Sequence, residues 1–204
     1  MKNIFFVLLA AVCLSGCTQK NTDQQVNQQM KQQIVLDNIL THVSVRQFTG
    51  DSVPQQIVET LLRAAMAAPS AINRQPWTFI VINDAQLLAE LGQALPYSRC
   101  GNGAALAVIP CGDLNRALEG EARDFWINDV SAATENLLLA AHALGLGAVW
   151  TGVYPGMERV QIVRNILGLP ENIVPMCIVP VGVPAEQPEV KDKWNTANIH
   201  YNRW

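Results

Sequence analysis

Three features of the sequence predict an α+β fold. Continuous apolar runs of strand length occur at 77–82, 104–111 and 173–183. Helical stripes of apolar residues lie between and before them. A long, nearly charge-free segment from about Asp124 to Leu144 predicts a helix covered on most sides. Half of the 204 residues are hydrophobic and 15% are charged, which fits one globular domain with a sizeable core and excludes a disordered chain. The net charge of −3 argues against nucleic acid as a partner, because phosphate neutralisation needs a basic patch.

In chain order, Ile34, Val35, Leu36, Ile39 and Leu40 form a helical stripe ending near His42. Asp51-Ser52 is positioned to cap a second helix starting at Pro54, with Ile57, Leu61, Leu62, Ala65 and Met66 on its inner face. Trp77 to Ile82 predicts a buried strand, Asp84 to Ala94 a short helix, and Ala104 to Cys111 a second strand. In the long helix Phe125, Val130, Ala133, Leu137, Leu138, Ala141 and Leu144 keep a 3-to-4 spacing, which predicts a central core position or a subunit interface. Gly145 and Gly147 end it, and Ala148 to Thr151 is a short strand. Met157 to Leu167 is a helix stopped by Gly168 and Pro170. Ile173 to Val183 is the last strand; Pro175 and Pro180 cannot donate ladder bonds, so it is an edge strand or is bulged.

The N-terminus carries its own signal. Lys2 precedes an apolar run from Ile4 to Leu14, too short to span a bilayer and the right length for a signal h-region. It ends in Leu14-Ser15-Gly16-Cys17, which resembles a bacterial lipobox. Residues 1–16 are then a lipoprotein signal peptide, and the Cys17 thiol carries the lipid. An ordinary secretory signal cut nearby is the alternative. Residues 17–33, rich in Gln and Asn, read as a flexible tether, and the folded domain is expected over 34–204. This anatomy predicts a membrane-anchored lipoprotein in the envelope or periplasm of a bacterium, with membrane contact through the N-terminal lipid only. Cys111 and Cys177 lie in apolar runs and read as buried thiols. The histidines His42, His142 and His200 are far apart in sequence, so a metal site is not expected.

The most informative stretch is Ala68-Pro69-Ser70-Ala71-Ile72-Asn73-Arg74-Gln75-Pro76-Trp77. Small and amide-bearing side chains between prolines bring backbone groups, a hydroxyl and two carboxamides onto one surface, which suits a planar ligand with many acceptors. Three further segments join it: Ser44-Val45-Arg46-Gln47-Phe48; Ala132 to Ala141 running through Leu144-Gly145-Leu146-Gly147-Ala148-Val149-Trp150; and the tail from Gly182-Val183-Pro184 through Lys191 and Lys193 to His200-Tyr201-Asn202-Arg203-Trp204. In order and spacing these four resemble the nitroreductase family of FMN flavoproteins.

The resemblance implies a nitroreductase-like fold: a central mixed β-sheet flanked by helices, a long interface helix, and a C-terminal tail reaching the partner subunit of a homodimer. It implies FMN as cofactor, and a ping-pong oxidoreductase passing electrons from a small-molecule donor, NAD(P)H in the family, to a nitroaromatic, quinone or similar acceptor. No residue is expected to be catalytic, because the flavin carries the chemistry. Arg46 would face N1 and C2=O, where reduction places negative charge. His42, Val43 and Ser44 would lie at the phosphate and ribityl end, with Lys191 and Lys193 neutralising the phosphate. Pro69, Ser70, Ala71, Asn73 and Gln75 would approach the ring edge from the neighbouring subunit. Trp150, Thr151 and Gly152 would cross one ring face, with the Gly152 N–H near N5. His42 and Lys193 stand where the family has Arg, which exchanges fixed cationic forks for a titratable ring and a point charge.

Taken alone, the same residues have structural readings: Ser44 and Arg46 as a helix-end cap beside a surface cation, Asn73 and Gln75 as satisfying their own turn, Gly152 as a strand-end glycine. A non-catalytic flavin carrier, and a reductive dehalogenase or flavin-cleaving relative, are the alternative functions. Export would also separate the protein from cytosolic NAD(P)H, so a different reductant serves or the NAD(P)H activity is not the native one.

Overall fold

The computed structural model describes residues 26–204. The expected signal peptide, Cys17 and the first part of the tether lie outside the described residues. The chain divides into two units, Met1–Thr41 and His42–Trp204. In the first, helix α1 occupies residues 26–41. The expectation of a flexible tether therefore fails over 26–33. Gln, Met and Lys are good helix formers, and Gln33 Nε2 donates to Asp37 Oδ1 at 2.6 Å, one turn further on. The apolar residues Ile34, Val35, Leu36, Ile39 and Leu40 of α1 are exposed. The second unit begins at His42, not at Ile34.

In that unit α2 (Gln55–Met66) follows Pro54, whose φ of −59° suits a helix start. No side chain caps it; the Asp51 carboxylate instead accepts from the Thr49 hydroxyl at 2.7 Å, one step short of the helix. Val58, Leu61 and Ala65 are buried, whereas Met66, at the helix's last position, is 51% exposed. Helix α3 (Ala85–Ala94) is capped by Asp84, which accepts from Leu87 N at 2.8 Å.

Six strands form the sheet: β1 (Trp77–Ile82), β2 (Leu106–Asp113), β3 (Gly147–Ala148), β4 (Thr151–Gly152), β5 (Ile173–Pro175) and β6 (Cys177–Gly182). Their order is β1-β2-β6-β3, with β4 also on β6 and β5 also on β2. Every pairing among the described residues is antiparallel, so the sheet is not the mixed one expected. The connection through α3 returns the chain alongside β1, which makes β2 antiparallel to it. Strand β1 is at the edge and its middle residues are only half-buried, despite the continuous apolar run. Seven of the eight residues of β2 are buried.

The final strand is interior and bulged. Cys111 pairs with Pro175, but Val108 pairs with Val179, so the register moves by one residue across Met176. The bulge falls opposite Pro110, which has no N–H to give; Met176 N donates to the Pro110 carbonyl at 2.9 Å instead.

Helix α4 (Phe125–Ala143) buries Trp126, Val130, Ala133, Leu137, Leu138 and Ala141 against the sheet and α2. The Trp126 ring lies flat on Gly112, where a Cβ would stand 2.3 Å from Cε3. Phe125 and Leu144, expected on the buried face, are 50% and 40% exposed because they lie at the helix's ends. Helix α5 (Met157–Leu167) ends at Gly168, whose φ of +64° is the left-handed cap that its sequence position predicts.

Candidate functional site

Residues 42–48 form an extended strap. Val45 N donates to the Ala148 carbonyl on β3 at 3.0 Å, and the buried Val45 side chain sits in a notch over Gly147. The alternation of extended chain then turns Ser44 and Arg46 away from that notch. The Arg46 main chain is held at both ends: its N–H donates to Glu186 Oε1 at 2.6 Å, and its carbonyl accepts from Asn102 Nδ2 at 2.9 Å. Its guanidinium is exposed, with Nη1 on the Ser44 carbonyl at 3.2 Å. Phe48 is buried beside Pro184, and Ala185 N donates to the Gln47 carbonyl at 3.0 Å.

At the head of the strap the His42 ring meets the His142 ring edge-on, centroids 5.7 Å apart. Burial lowers the His42 pKa below 6.5; Glu135 opposes this, while His142 and Lys193 add to it. The strap, the end of α4 and Lys193 thus share one electrostatic neighbourhood. Lys191 is exposed in the same tail.

The Pro69 to Trp77 turn is strained. Ile72, Asn73 and Gln75 all have positive φ (50°, 56° and 50°), and Ile72 is β-branched and 84% exposed. Such conformations cost on the order of 1–3 kcal/mol each. Besides its own backbone bonds, two side-chain acceptors hold the turn: Asp129 Oδ1 on α4 accepts from Ala71 N at 2.8 Å, and Ser70 Oγ accepts from Gln75 N at 2.9 Å. Asn73 Oδ1 accepts from Gln75 Nε2 at 3.1 Å, so these two amides do satisfy each other in part. That leaves the Ser70 hydroxyl proton, the Asn73 amide N–H groups and the Gln75 amide oxygen for a ligand. Pro69 is exposed. The Ala71 N–H is already engaged.

The expected strand at 148–151 is interrupted at Val149-Trp150 and resumes as β4. Trp150 is half-buried against the core. The Thr151 hydroxyl donates to the Ile178 carbonyl at 2.6 Å, so its side chain turns inward and only its backbone can face a ligand. Gly152 has open space where a Cβ would stand, so backbone is uncovered at the position expected to approach a ring.

Within one chain these pieces do not form a single site. The strap lies at the His142 end of α4 and the strained turn at the Asp129 end. Thirteen residues along a helix span about 20 Å. Sequence reasoning missed Asp129, Asn102 and Glu186, which hold the turn and the strap. Of these only Asp129 left a trace, as one of two carboxylates on a helix with few charges. The described cysteines are buried thiols: burial pushes the Cys111 thiol up to about 12 and also raises those of Cys177 and Cys100. No helix among the described residues is long and apolar enough to cross a membrane.

The fold is a helix-flanked antiparallel sheet that presents a strained polar turn and an extended strap carrying Arg46. The comparisons sharpen this. The family model described as "Nitroreductase family" matches residues 39–96 and 95–183. A putative NADH dehydrogenase/NAD(P)H nitroreductase of Methanothermobacter thermautotrophicus is 41% identical over 170 residues, covering 83% of this chain and 87% of the relative. The crystal structure of a protein of the same description from Parabacteroides distasonis superposes with a TM-score of 0.78 at 41% identity, over 83% of this chain and 98% of that one. An FMN-dependent nitroreductase of Clostridium difficile gives 0.74 at 26% identity, over 83% and 99%. The chain belongs to the nitroreductase family of oxidoreductases.

Proposed function

We propose that the protein is an FMN-dependent oxidoreductase acting as a homodimer, with each flavin held between the strap of one protomer and the strained turn of the other. One observation carries the reading: the two half-sites stand about 20 Å apart along α4 in one chain, too far to grip one ring system together. A two-fold axis near the middle of α4 would bring the partner's turn to the strap. Exposed apolar groups support a second copy, since Phe125, Leu144, Ile72, Trp194, Tyr201 and Trp204 all stand uncovered. The C-terminal aromatics would then wrap the partner.

The residues present fit FMN. Donors at half-buried Ser70 and at exposed Asn73 and Arg46, open backbone at Gly152, and cations at Lys191, Lys193 and protonated His42 match ring, ribityl and phosphate. When bound, FMN supplies the electron relay between a nicotinamide donor and a nitroaromatic, quinone or similar acceptor. Arg46 holds a fixed positive charge, and its two main-chain bonds fix the backbone from which the guanidinium extends. Asn73 and Gln75 orient the ring edge, and Asp129 keeps the turn that presents them. Val43 and Ser44 line the ribityl side, and Pro69 and Trp150 provide apolar surface that keeps water from the ring.

We further propose that residues 1–16 are a lipoprotein signal peptide and that Cys17 carries the lipid, placing the enzyme in the bacterial envelope. Labelling with a fatty acid that persists in Cys17→Ser would sink that assignment. For the enzyme, purified protein should be yellow, bleach with NADH, recover its colour with a nitroaromatic, and run as a dimer in native mass measurement. A colourless monomer indifferent to added FMN removes the whole reading.

A further inference from the structure

Arg159 is a cation on which the proposed flavin chemistry so far makes no demand. It lies in the first turn of α5, yet its side chain runs back over the loop that follows β4: its Cδ is 3.2 Å from where a Cβ on Gly156 would stand. Nη1 reaches the Gly152 carbonyl at 3.4 Å. The guanidinium carbon stands 4.8 Å above the centre of the Tyr97 ring, from the short turn Pro96–Ser98. Two separate elements therefore hold the guanidinium beside Gly152. No carboxylate pairs with it among the described residues, and of its five N–H donors a single long bond is occupied.

Its surroundings are open as well as cationic. Gly152 presents nothing within 4 Å of its missing Cβ, and Arg159 is exposed. Beside it the Tyr97 hydroxyl is buried with no hydrogen-bond partner among the described residues. Burial raises the Tyr97 pKa against the opposing pull of Arg159, so the phenol stays a neutral donor. A planar fork with no carboxylate partner, stacked on the Tyr97 ring at the rim of uncovered backbone, matches a carboxylate or phosphate oxygen.

We propose that Arg159, with Tyr97 as its platform, is the anchor for an anionic group on the reacting small molecule, and so sets substrate preference at the Gly152 face. This rests on the flavin reading above, which puts the reacting ring against Gly152. The anion has two possible sources: the diphosphate of a dinucleotide donor, or a carboxylate on the acceptor. Ping-pong turnover separates them, because each half-reaction has its own kcat/KM.

The test uses purified holoprotein. On the acceptor side, 4-nitrobenzoate is compared with the uncharged 4-nitrobenzamide. On the donor side, NADH is compared with uncharged 1-benzyl-1,4-dihydronicotinamide. Arg159→Ala should lower the charged-to-uncharged kcat/KM ratio at least tenfold in one half-reaction, through KM, and Arg159→Lys should restore part of it. A fall on the acceptor side assigns the anion to the acceptor, and a fall on the donor side assigns it to the donor. If Arg159→Ala stays yellow but both ratios remain within twofold of wild type, the anchor is refuted and the flavin reading stands. A wild-type protein that holds no FMN overturns both. Should the alanine variant fold poorly, the same ratios in Arg159→Lys and Arg159→Gln decide it: a loss in Gln restored in Lys supports the anchor, and equal ratios reject it.

Discussion

Replacing Gly147 by alanine should unseat the strap. The new Cβ would stand 2.6 Å from Val45 Cγ1, 2.8 Å from Val45 Cβ and 3.2 Å from Val45 Cγ2. Ordinary carbon contacts are about 3.5–4.0 Å, so strap and β3 must separate by roughly 1 Å. Overpacking of this kind costs about 1–3 kcal/mol. It also strains the 3.0 Å bond from Val45 N to Ala148, and so displaces Ser44 and Arg46 on either side. Val45→Ala by itself removes two buried carbons, at about 0.8 kcal/mol each. Together the changes should cost less than the sum of the singles, because losing both Cγ atoms removes two of the three clashes. The rescue is partial, since the 2.8 Å approach to Val45 Cβ persists. A coupling of about 0.5–1.5 kcal/mol is expected from urea melts of the four proteins. FMN affinity, followed by flavin fluorescence quenching, should fall in Gly147→Ala and partly recover in the double variant. An additive double variant, or a Gly147→Ala protein as stable as wild type, would refute the notch as the strap's anchor.

Four further outcomes are expected. Because burial, His142 and Lys193 disfavour charge on His42, its folded pKa lies below 6.5; a bound phosphate dianion would favour the cation, so FMN affinity should rise as pH falls from 8 toward 6. Riboflavin, lacking the phosphate, should show no such slope, and equal slopes for the two ligands would exclude His42 from the phosphate end. The cofactor-free fold should show the opposite sign: the unfolded chain binds this proton more readily, so stability should drop as pH falls through 6.5 toward the folded value, a drop that His42→Asn removes. Asp129→Ala leaves the Ala71 N–H without its acceptor and should cost about 1–3 kcal/mol in thermal or urea melts, with FMN binding falling alongside; an unchanged melt would mean the turn holds itself. Arg46→Ala should make the flavin midpoint potential more negative with FMN retained, and an unchanged potential would remove Arg46 from the ring.

Elements whose ends are set locally were legible in the sequence. The bounds of α5 follow from Gly168, and the start of α3 follows from Asp84, because each signal is a residue doing its work within one turn. What failed depends on distant partners. The last strand reads as one run with two prolines, and only Pro110 on the neighbouring strand decides that the break falls at Met176. Asp51-Ser52 reads as a cap, but Thr49 takes the Asp51 carboxylate first. The Gln-rich stretch before Ile34 reads as solvated coil, yet its described residues, 26–33, include good helix formers and lie within α1. At the site, the residue types of the strap and turn were visible, but the hands that hold them were not. Asp129, Asn102 and Glu186 each act across more than fifty positions of chain.

The hydrogen bonds between Arg46-Gln47 and Ala185-Glu186 have a wider meaning. The C-terminal arm departs from the very residues that present the guanidinium, like a cord knotted to a latch. A proteolytic nick or an early stop just beyond Val183 would therefore slacken the latch itself, before any aromatic at the far tip is missed. Damage at the end of this polypeptide should register first near its forty-sixth residue.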